Sequence, residues 1–236
     1  MSGRRRSLLL ALLLATGSCQ PWPADPERSL EQVRASGILR VGVAESPPWI
    51  VRRGEEATGV EAELVAAFAR ELGAEPRWSW GQLESHLEAL EHFQLDLVAA
   101  GLTARTPWRK RIGTTKPYFV ERVLLGAPVD APVAEERRGL TVAVPSASSL
   151  VARVREKGYQ PRPVEDLWSD AELAVRAAPA WELRAHDLRP LPGSELERRE
   201  HVIAVAPGEN ALLVHLERSL RTNARDLEAA LRRSSP

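Results

Sequence analysis

The chain has 236 residues, 44% of them hydrophobic, and its 32 Lys and Arg residues balance 32 Asp and Glu residues. This balance excludes the strong positive field that would draw nucleic acid to the whole protein. A single cysteine, Cys19, excludes an intrachain disulfide. The length suits one large domain or two small lobes.

The first residues are typical of an export signal rather than of a folded domain. Arg4–Arg6 form a basic start, Leu8–Ala15 is an apolar run too short to span a bilayer, and small residues precede Cys19. We predict a signal peptide over 1–19 with lipoprotein-type cleavage and a lipid on Cys19. The alternative is an ordinary signal peptide cut nearby. Residues 20–28 contain three prolines and are predicted to be an extended tether.

The first half of the remaining chain alternates short apolar runs with helical patterns. Val60, Leu64, Phe68 and Leu72 recur every four residues, which predicts a helix with one buried face. The predicted elements are the strand Ile38–Val43, the helix Val60–Leu72, the strand Arg77–Trp80, the helix Gln82–Phe93, the strand Leu95–Ala100 and the strand Tyr118–Leu125.

The second half repeats this alternation. The predicted elements are the strand Thr141–Val144, the helix Ser148–Lys157, the strand Leu173–Val175, the helix Pro179–His186, the strand His201–Ala206 and the helix Asn210–Arg221. Strands and helices in this order predict an α/β fold with largely parallel sheets.

The segment Leu95–Phe119, LDLVAAGLTARTPWRKRIGTTKPYF, combines a buried strand, a glycine turn, a threonine and a basic cluster. Loops at the carboxyl ends of parallel strands form the crevice in which α/β proteins bind ligands. An arginine fork with backbone N–H groups suits a carboxylate. This pattern predicts a site for a small anion.

Several blocks of the chain resemble, in order, the bacterial periplasmic solute-binding proteins of polar amino acid ABC transporters. They are SLEQVRASGILRVGV, PPWI, GVEAELVAAFARELG, the segment at Leu95–Phe119, RGLTVAVPSASS and HVIAVAPGENALLVHLERSL. The resemblance implies two Rossmann-like α/β lobes joined by two hinge strands, near Glu121–Leu125 and His201–Val205. It divides the chain into a discontinuous first lobe, 29–122 and 204–236, and a second lobe, 123–203.

The resemblance also implies ligand-binding residues. Arg109 in TPWR matches the family's carboxylate-binding arginine, and Arg105 competes with it; the alternative for both is a solvated face. Gly101 and Thr103 match backbone and hydroxyl contacts, or form a plain turn. Trp49 matches an aromatic wall, or packs within its lobe. Ser148 and Ser149 lie at a predicted helix start, where they bind an anion or cap the helix.

The acid that meets an amino acid's ammonium group in the family is expected near Arg176–Pro179, where this chain has none. This absence favours an anionic ligand. The histidines have no metal-ligand spacing, so we predict neither a metal nor a cofactor.

The resemblance implies a monomeric solute-binding lipoprotein, anchored in the periplasm, that captures an anionic or zwitterionic solute by hinge closure for an ABC transporter. It is not expected to be an enzyme or to bind nucleic acid. Two alternatives remain: a sensory or partner-binding module on the same fold, and a cyclohexadienyl dehydratase-like enzyme using Glu45 or Glu172.

Overall fold

The computed structural model describes residues 25–130, 139–169 and 174–234. The predicted signal peptide, Cys19 and the tether before Asp25 therefore lie outside the described residues. None of the helices in these described ranges has the length and apolar composition of a membrane span.

The described chain alternates helices and strands. The helices are α1 Ser29–Ser36, α2 Val60–Glu71, α3 Leu83–Glu91, α4 Leu150–Glu156, α5 Ala180–Ala185, α6 Asn210–Asn223 and α7 Leu227–Ser234, with a 3₁₀ turn at Pro107–Lys110. The strands are β1 Ile38–Val43, β2 Val51–Arg53, β3 Glu56–Thr58, β4 Glu75–Trp80, β5 Leu97–Ala99, β6 Gly113–Thr114, β7 Phe119–Pro128, β8 Thr141–Pro145, β9 Gln160–Val164, β10 Arg176–Pro179, β11 Leu188–Pro190, β12 Glu197–His201 and β13 Ala204–Val205.

The first sheet has five strands in the order β4-β1-β5-β13-β6. β1 lies parallel between β4 and β5, whereas β13 runs antiparallel to β5 and β6. Phe68 of α2 and Leu212 and Leu216 of α6 are buried in one core of this sheet. Leu87 and Leu90 of α3 are buried in a second core, with Val98 of β5. The apolar faces that the sequence predicted for these helices therefore do pack against a sheet.

The second sheet contains β11-β7-β10-β8-β9, with β12 paired to β7. β8 is parallel to β9 and β10, but β7 is antiparallel to β10, β11 and β12. The two-lobe α/β fold is confirmed. The expectation of largely parallel sheets is wrong, because each sheet mixes parallel and antiparallel pairs.

Two antiparallel strands, β7 and β12, link the two sheets and are called the crossing ribbon below. Their register pairs Phe119 with His201 and Glu121 with Arg199. β12 lies earlier in the chain than the predicted crossing His201–Val205, since residues 202–206 already belong to the first sheet and its core. The sequence of this strand, ERREH, is charged, so hydrophobic periodicity does not predict it.

One prediction in the second lobe is wrong. The predicted strand Leu173–Val175 begins outside the described residues, and the described residues 174 and 175 precede the strand, which is β10, Arg176–Pro179; its Ala177 and Ala178 are at most 1% exposed. Small alanines have weak strand propensity, but they fit between β7 and β8, so packing decides. β9, which was not among the predicted strands, contains two prolines. It pairs only with β8, at the edge of the sheet, where proline is tolerated.

The last residues of the predicted tether are bound to the folded body. The Asp25 carboxylate accepts the backbone N–H groups of Asn210 and Ala211 at 3.0 and 2.7 Å, which caps α6. Glu209, 1% exposed, accepts the N–H groups of Glu27 and Ser29 at 2.6 and 2.8 Å. Any tether therefore ends before Asp25.

Candidate functional site

A cavity of about 600 Å³ lies between the two sheets, against the crossing ribbon. Its volume suits a small organic solute. Its lining contains Ser46, Pro47, Pro48, Trp49, Gly101 and Thr103 from the first sheet's loops, Glu121, Arg199 and His201 from the ribbon, and Pro145, Ser148, Leu150, Glu165, Asp166, Leu167, Trp168, Ala177, Ala178, Pro179, Trp181 and Glu182 from the second sheet's side.

Trp49 forms a fixed wall of this cavity. Its ring is 6% exposed and stacks on His201 with centroids 3.9 Å apart and planes at 26°. Phe119 and Tyr118 pack against the same indole at 5.8 and 6.4 Å. Packing on three rings holds the indole at one position in the cavity wall.

Gly101 allows the loop after β5 to approach Trp49 closely. Its φ is +65°, and a Cβ atom there would lie 2.7 Å from Ser46 Oγ and 3.0 Å from Trp49 Cδ1. Its N–H donates to Glu61 Oε2 at 2.9 Å, so this N–H is already bonded rather than offered to a ligand. Thr103 also lines the cavity and forms an isolated bridge with His201.

The ribbon contributes an ion pair that the sequence reading missed. Glu121 and Arg199 lie directly opposite each other, with Arg199 Nη1 3.2 Å from Glu121 Oε2. Trp181 Nε1 donates to the same carboxylate at 3.0 Å, and His201 Nε2 lies 3.8 Å away. Burial acts to raise the pKa of Glu121, but His201, Trp181 and Arg199 together hold the pKa below its usual value. Glu121 is therefore an ionised group at neutral pH.

No acid lies at the positions near Arg176–Pro179, as the sequence indicated, but acidic residues from other elements line the cavity. The positions near Arg176–Pro179 form β10, and the acid follows in α5 as Glu182. Trp168 Nε1 donates to Glu182 Oε1 at 3.1 Å. Burial raises the pKa of Glu182, while the bond from Trp168 opposes that rise. Arg176 donates to the Leu167 carbonyl at 2.9 Å and is not part of the cavity lining.

The predicted arginine fork does not reach the cavity. Arg109 is exposed on the 3₁₀ turn, and Arg105 lines an adjoining cavity of about 300 Å³ that shares Thr103 and Arg199 with the first. The basic cluster turns toward α3 because Arg111 stacks on Trp108 at 4.3 Å and pairs with Glu91 at 2.5 Å. Arg199 is the arginine that lines the cavity, among the described residues.

The two serines differ in placement. Ser148 lines the cavity, and its Oγ accepts the N–H of Leu150 at 3.1 Å, so it caps the start of α4. Ser149 is exposed and is not part of the lining. Glu45 is exposed outside the lining, and Glu172 lies outside the described residues. Across the described ranges, no group of His, Cys, Asp or Glu side chains is placed to hold a metal ion.

Period-two alternation could have found the ribbon residues. Glu121 and Val123 share one strand face, as do Glu197, Arg199 and His201, and antiparallel pairing brings these faces together. The sequence indicated less clearly that Glu182 belongs to the site, because its position depends on where β10 ends.

Two sheets joined by a crossing ribbon, with a solute-sized cavity at the junction, define a two-lobe binding protein. The sequence profile of the bacterial extracellular solute-binding proteins, family 3, matches residues 39–232, and the chain belongs to this family. The family's description assigns its members to the outside of the cytoplasm.

Three solved structures have a similar fold. The unliganded L-cystine solute receptor of Neisseria gonorrhoeae has a TM-score of 0.68 and 18% identity, over 84% of this chain and 91% of that one. An ancestral cationic amino acid solute-binding protein has a TM-score of 0.67 and 18% identity, over 87% and 98%. The periplasmic domain of BvgS from B. pertussis has a TM-score of 0.69 and 18% identity, over 90% and 46%. At these identities the likeness establishes the fold alone.

The curated relatives are longer proteins. A membrane-bound lytic murein transglycosylase F of Vibrio cholerae serotype O1 is 36% identical over 119 residues, which is 49% of this chain and 22% of that protein. A membrane-bound lytic murein transglycosylase F 1 of Alkalilimnicola ehrlichii is 32% identical over 193 residues, 78% of this chain and 38% of that protein. The chain thus spans about a fifth to two fifths of the length of these two relatives.

Proposed function

We propose that this protein captures a small zwitterionic or cationic solute, of the amino acid class, and delivers it to an ABC transporter. In this proposal it works as a periplasmic monomer, held at the membrane by a lipid on Cys19. The predicted lobes, 29–122 with 204–236 and 123–203, would close over the solute. The observation that carries the proposal is the cavity against the crossing ribbon, lined from both sheets.

The charges of the cavity favour an ammonium-bearing solute over a simple anion. Its lining has the carboxylates Glu121, Glu165, Asp166 and Glu182, against Arg199 and His201. Arg199 is already paired with Glu121 and, at 2.9 Å, with Glu197. An ammonium group near Glu182 and the tryptophan faces would gain both charge attraction and cation–π contact. The proposal therefore places an ammonium-bearing solute ahead of the anionic ligand that the sequence favoured.

The position of the cavity supports hinge closure. A solute that touches Trp49 on one side and Trp168 or Glu182 on the other stabilises the closed arrangement by its additional contacts. Two of the similar structures are an L-cystine receptor and a cationic amino acid binding protein, which makes these solutes the first to test.

The experiment is isothermal titration calorimetry with thermal shift on the exported chain. The panel is L-arginine, L-lysine, L-cystine, L-glutamate and succinate. We expect saturable binding and a raised melting temperature with at least one amino acid, and none with succinate, which lacks an ammonium group. Binding of succinate alone would contradict the charge argument, and no binding across a full set of amino acids would remove the proposal.

A sensory or partner-binding module is the second candidate. The similarity to the BvgS periplasmic domain and to parts of much longer relatives favours it, because this fold there forms one part of a larger protein. Uptake of the radiolabelled amino acid by cells with and without the gene separates the two. Lost uptake supports transport, whereas binding in vitro with unchanged uptake supports the module. That the chain is not an enzyme stays a prediction.

A further inference from the structure

Glu61 is a fully buried carboxylate at the start of α2 that the proposed binding function does not use directly. Its two oxygens have different partners. Oε2 accepts the Gly101 N–H at 2.9 Å, and Oε1 accepts the Tyr118 hydroxyl at 2.5 Å. Burial raises the pKa of Glu61, while the bonds from Tyr118 and Gly101 oppose that rise. A buried carboxylate is costly, so its placement needs a reason.

The backbone of the same residue holds a third element of the cleft. The Glu61 N–H donates to the Trp49 carbonyl at 3.0 Å, and the preceding Val60 N–H donates to the Pro48 carbonyl at 3.2 Å. Gly59 permits this approach, because a Cβ atom there would lie 2.7 Å from both of those carbonyl oxygens. One residue therefore contacts the Trp49 loop, the Gly101 loop and the segment that leads into β7.

These three elements are the first-sheet part of the cavity and its connection to the crossing ribbon. Tyr118 immediately precedes β7, and its N–H donates to the His201 carbonyl at 3.0 Å. The Glu61 side chain thus fixes Gly101 relative to the strand that must bend or rotate when the lobes close. Of the two groups that the Glu61 side chain binds, Gly101 lines the cavity, and Tyr118 packs against the Trp49 ring that forms its wall.

We infer that Glu61 is a positioning residue of the ligand site: with Tyr118 it pre-organises the Gly101 and Trp49 loops for solute binding. The inference rests on the proposed function and specifies how the site is kept ready. Without this link the competent arrangement is only fractionally populated, and the apparent dissociation constant rises by the inverse of that fraction. The weaker affinity then comes from a slower association rate, while the dissociation rate is unchanged.

The test uses the full chain with L-arginine and L-cystine as probes, measured by stopped-flow tryptophan fluorescence. Glu61→Leu removes both bonds without leaving a buried charge, and Tyr118→Phe removes one hydroxyl. We expect Glu61→Leu to weaken binding about tenfold through slower association, with Tyr118→Phe intermediate. Glu61→Gln restores binding to near the wild-type value, since its amide can accept from Gly101 and donate to the Tyr118 oxygen.

Glu63→Gln is the matched control, because Glu63 lies in the same first turn of α2 but is exposed. It should leave both rate constants unchanged. If Glu61→Leu does not fold, Tyr118→Phe decides alone. Wild-type rates in the folded variants would overturn the inference, and so would a change confined to dissociation. A wild-type chain that binds no amino acid instead refutes the proposed function, and the inference falls with it.

Discussion

Gly101→Ala tests how tightly the cleft is packed. The φ of +65° at this residue costs a side chain about 1–2 kcal/mol. The new methyl would also lie 2.7 Å from Ser46 Oγ and 3.0 Å from Trp49 Cδ1. The serine hydroxyl can rotate away, but the Trp49 ring is stacked on His201 and can move only by repacking, which costs about 1–3 kcal/mol more. We expect a total loss of about 2–5 kcal/mol in the free energy of unfolding.

Gly54→Ala is the control that separates the two contributions. Gly54 has a φ of +63°, but nothing lies within 4 Å of its would-be Cβ atom. It should lose only the conformational part, about 1–2 kcal/mol. Urea unfolding of the wild type and both variants gives the difference, which is the cost of displacing Trp49. Equal losses in the two variants would refute the close approach of Gly101 to Trp49.

Three further predictions concern charge and anchoring. Arg199→Gln should cost about 1–3 kcal/mol at pH 7. The pKa of Glu121 is lowered in the folded protein. Its ionised carboxylate therefore stabilises the fold above the ordinary carboxyl pKa, and this stabilisation is lost as the pH falls through the pKa of the folded state. Without Arg199, acid unfolding should begin at a higher pH, which circular dichroism would detect. An unchanged acid-unfolding profile would contradict the pairing of Arg199 with Glu121. Glu209→Ala should lower the free energy of unfolding in urea by about 2–4 kcal/mol, because the buried Ser29 N–H loses its acceptor. A decrease below about 1 kcal/mol would contradict this. Arg109→Ala should change amino acid affinity by no more than about twofold in calorimetry, as for an exposed side chain, whereas abolished binding would restore the sequence assignment.

Periodic, apolar segments of the sequence predicted their own structure well. The structure has β1, α2 and α6 where the apolar patterns predicted them. The spacing of apolar residues within one segment is enough to show which face it buries, and so which secondary structure it forms. The ordered blocks of resemblance also predicted the family. The prolines of β9, the alanines of β10 and the charges of β12 hid these strands, because their pairing depends on neighbours distant in the chain.

The candidate site was predicted only in part. Trp49, Gly101, Thr103 and Ser148 do line the cavity, since their loops follow predicted strands or begin a predicted helix. Arg109 does not, because Trp108 and Arg111 pack toward α3 and turn the basic cluster with them. A motif lists which residues are available, but it does not say which way a short turn faces.

The sequence by itself determined the alternating α/β architecture and the family, because both follow from patterns within contiguous segments. Only the tertiary structure decided the charge of the cleft. Strand register pairs Glu121 with Arg199, and a separate helix, α5, brings Glu182 to the same cavity. The proposal of an ammonium-bearing solute therefore rests on long-range packing rather than on any local motif.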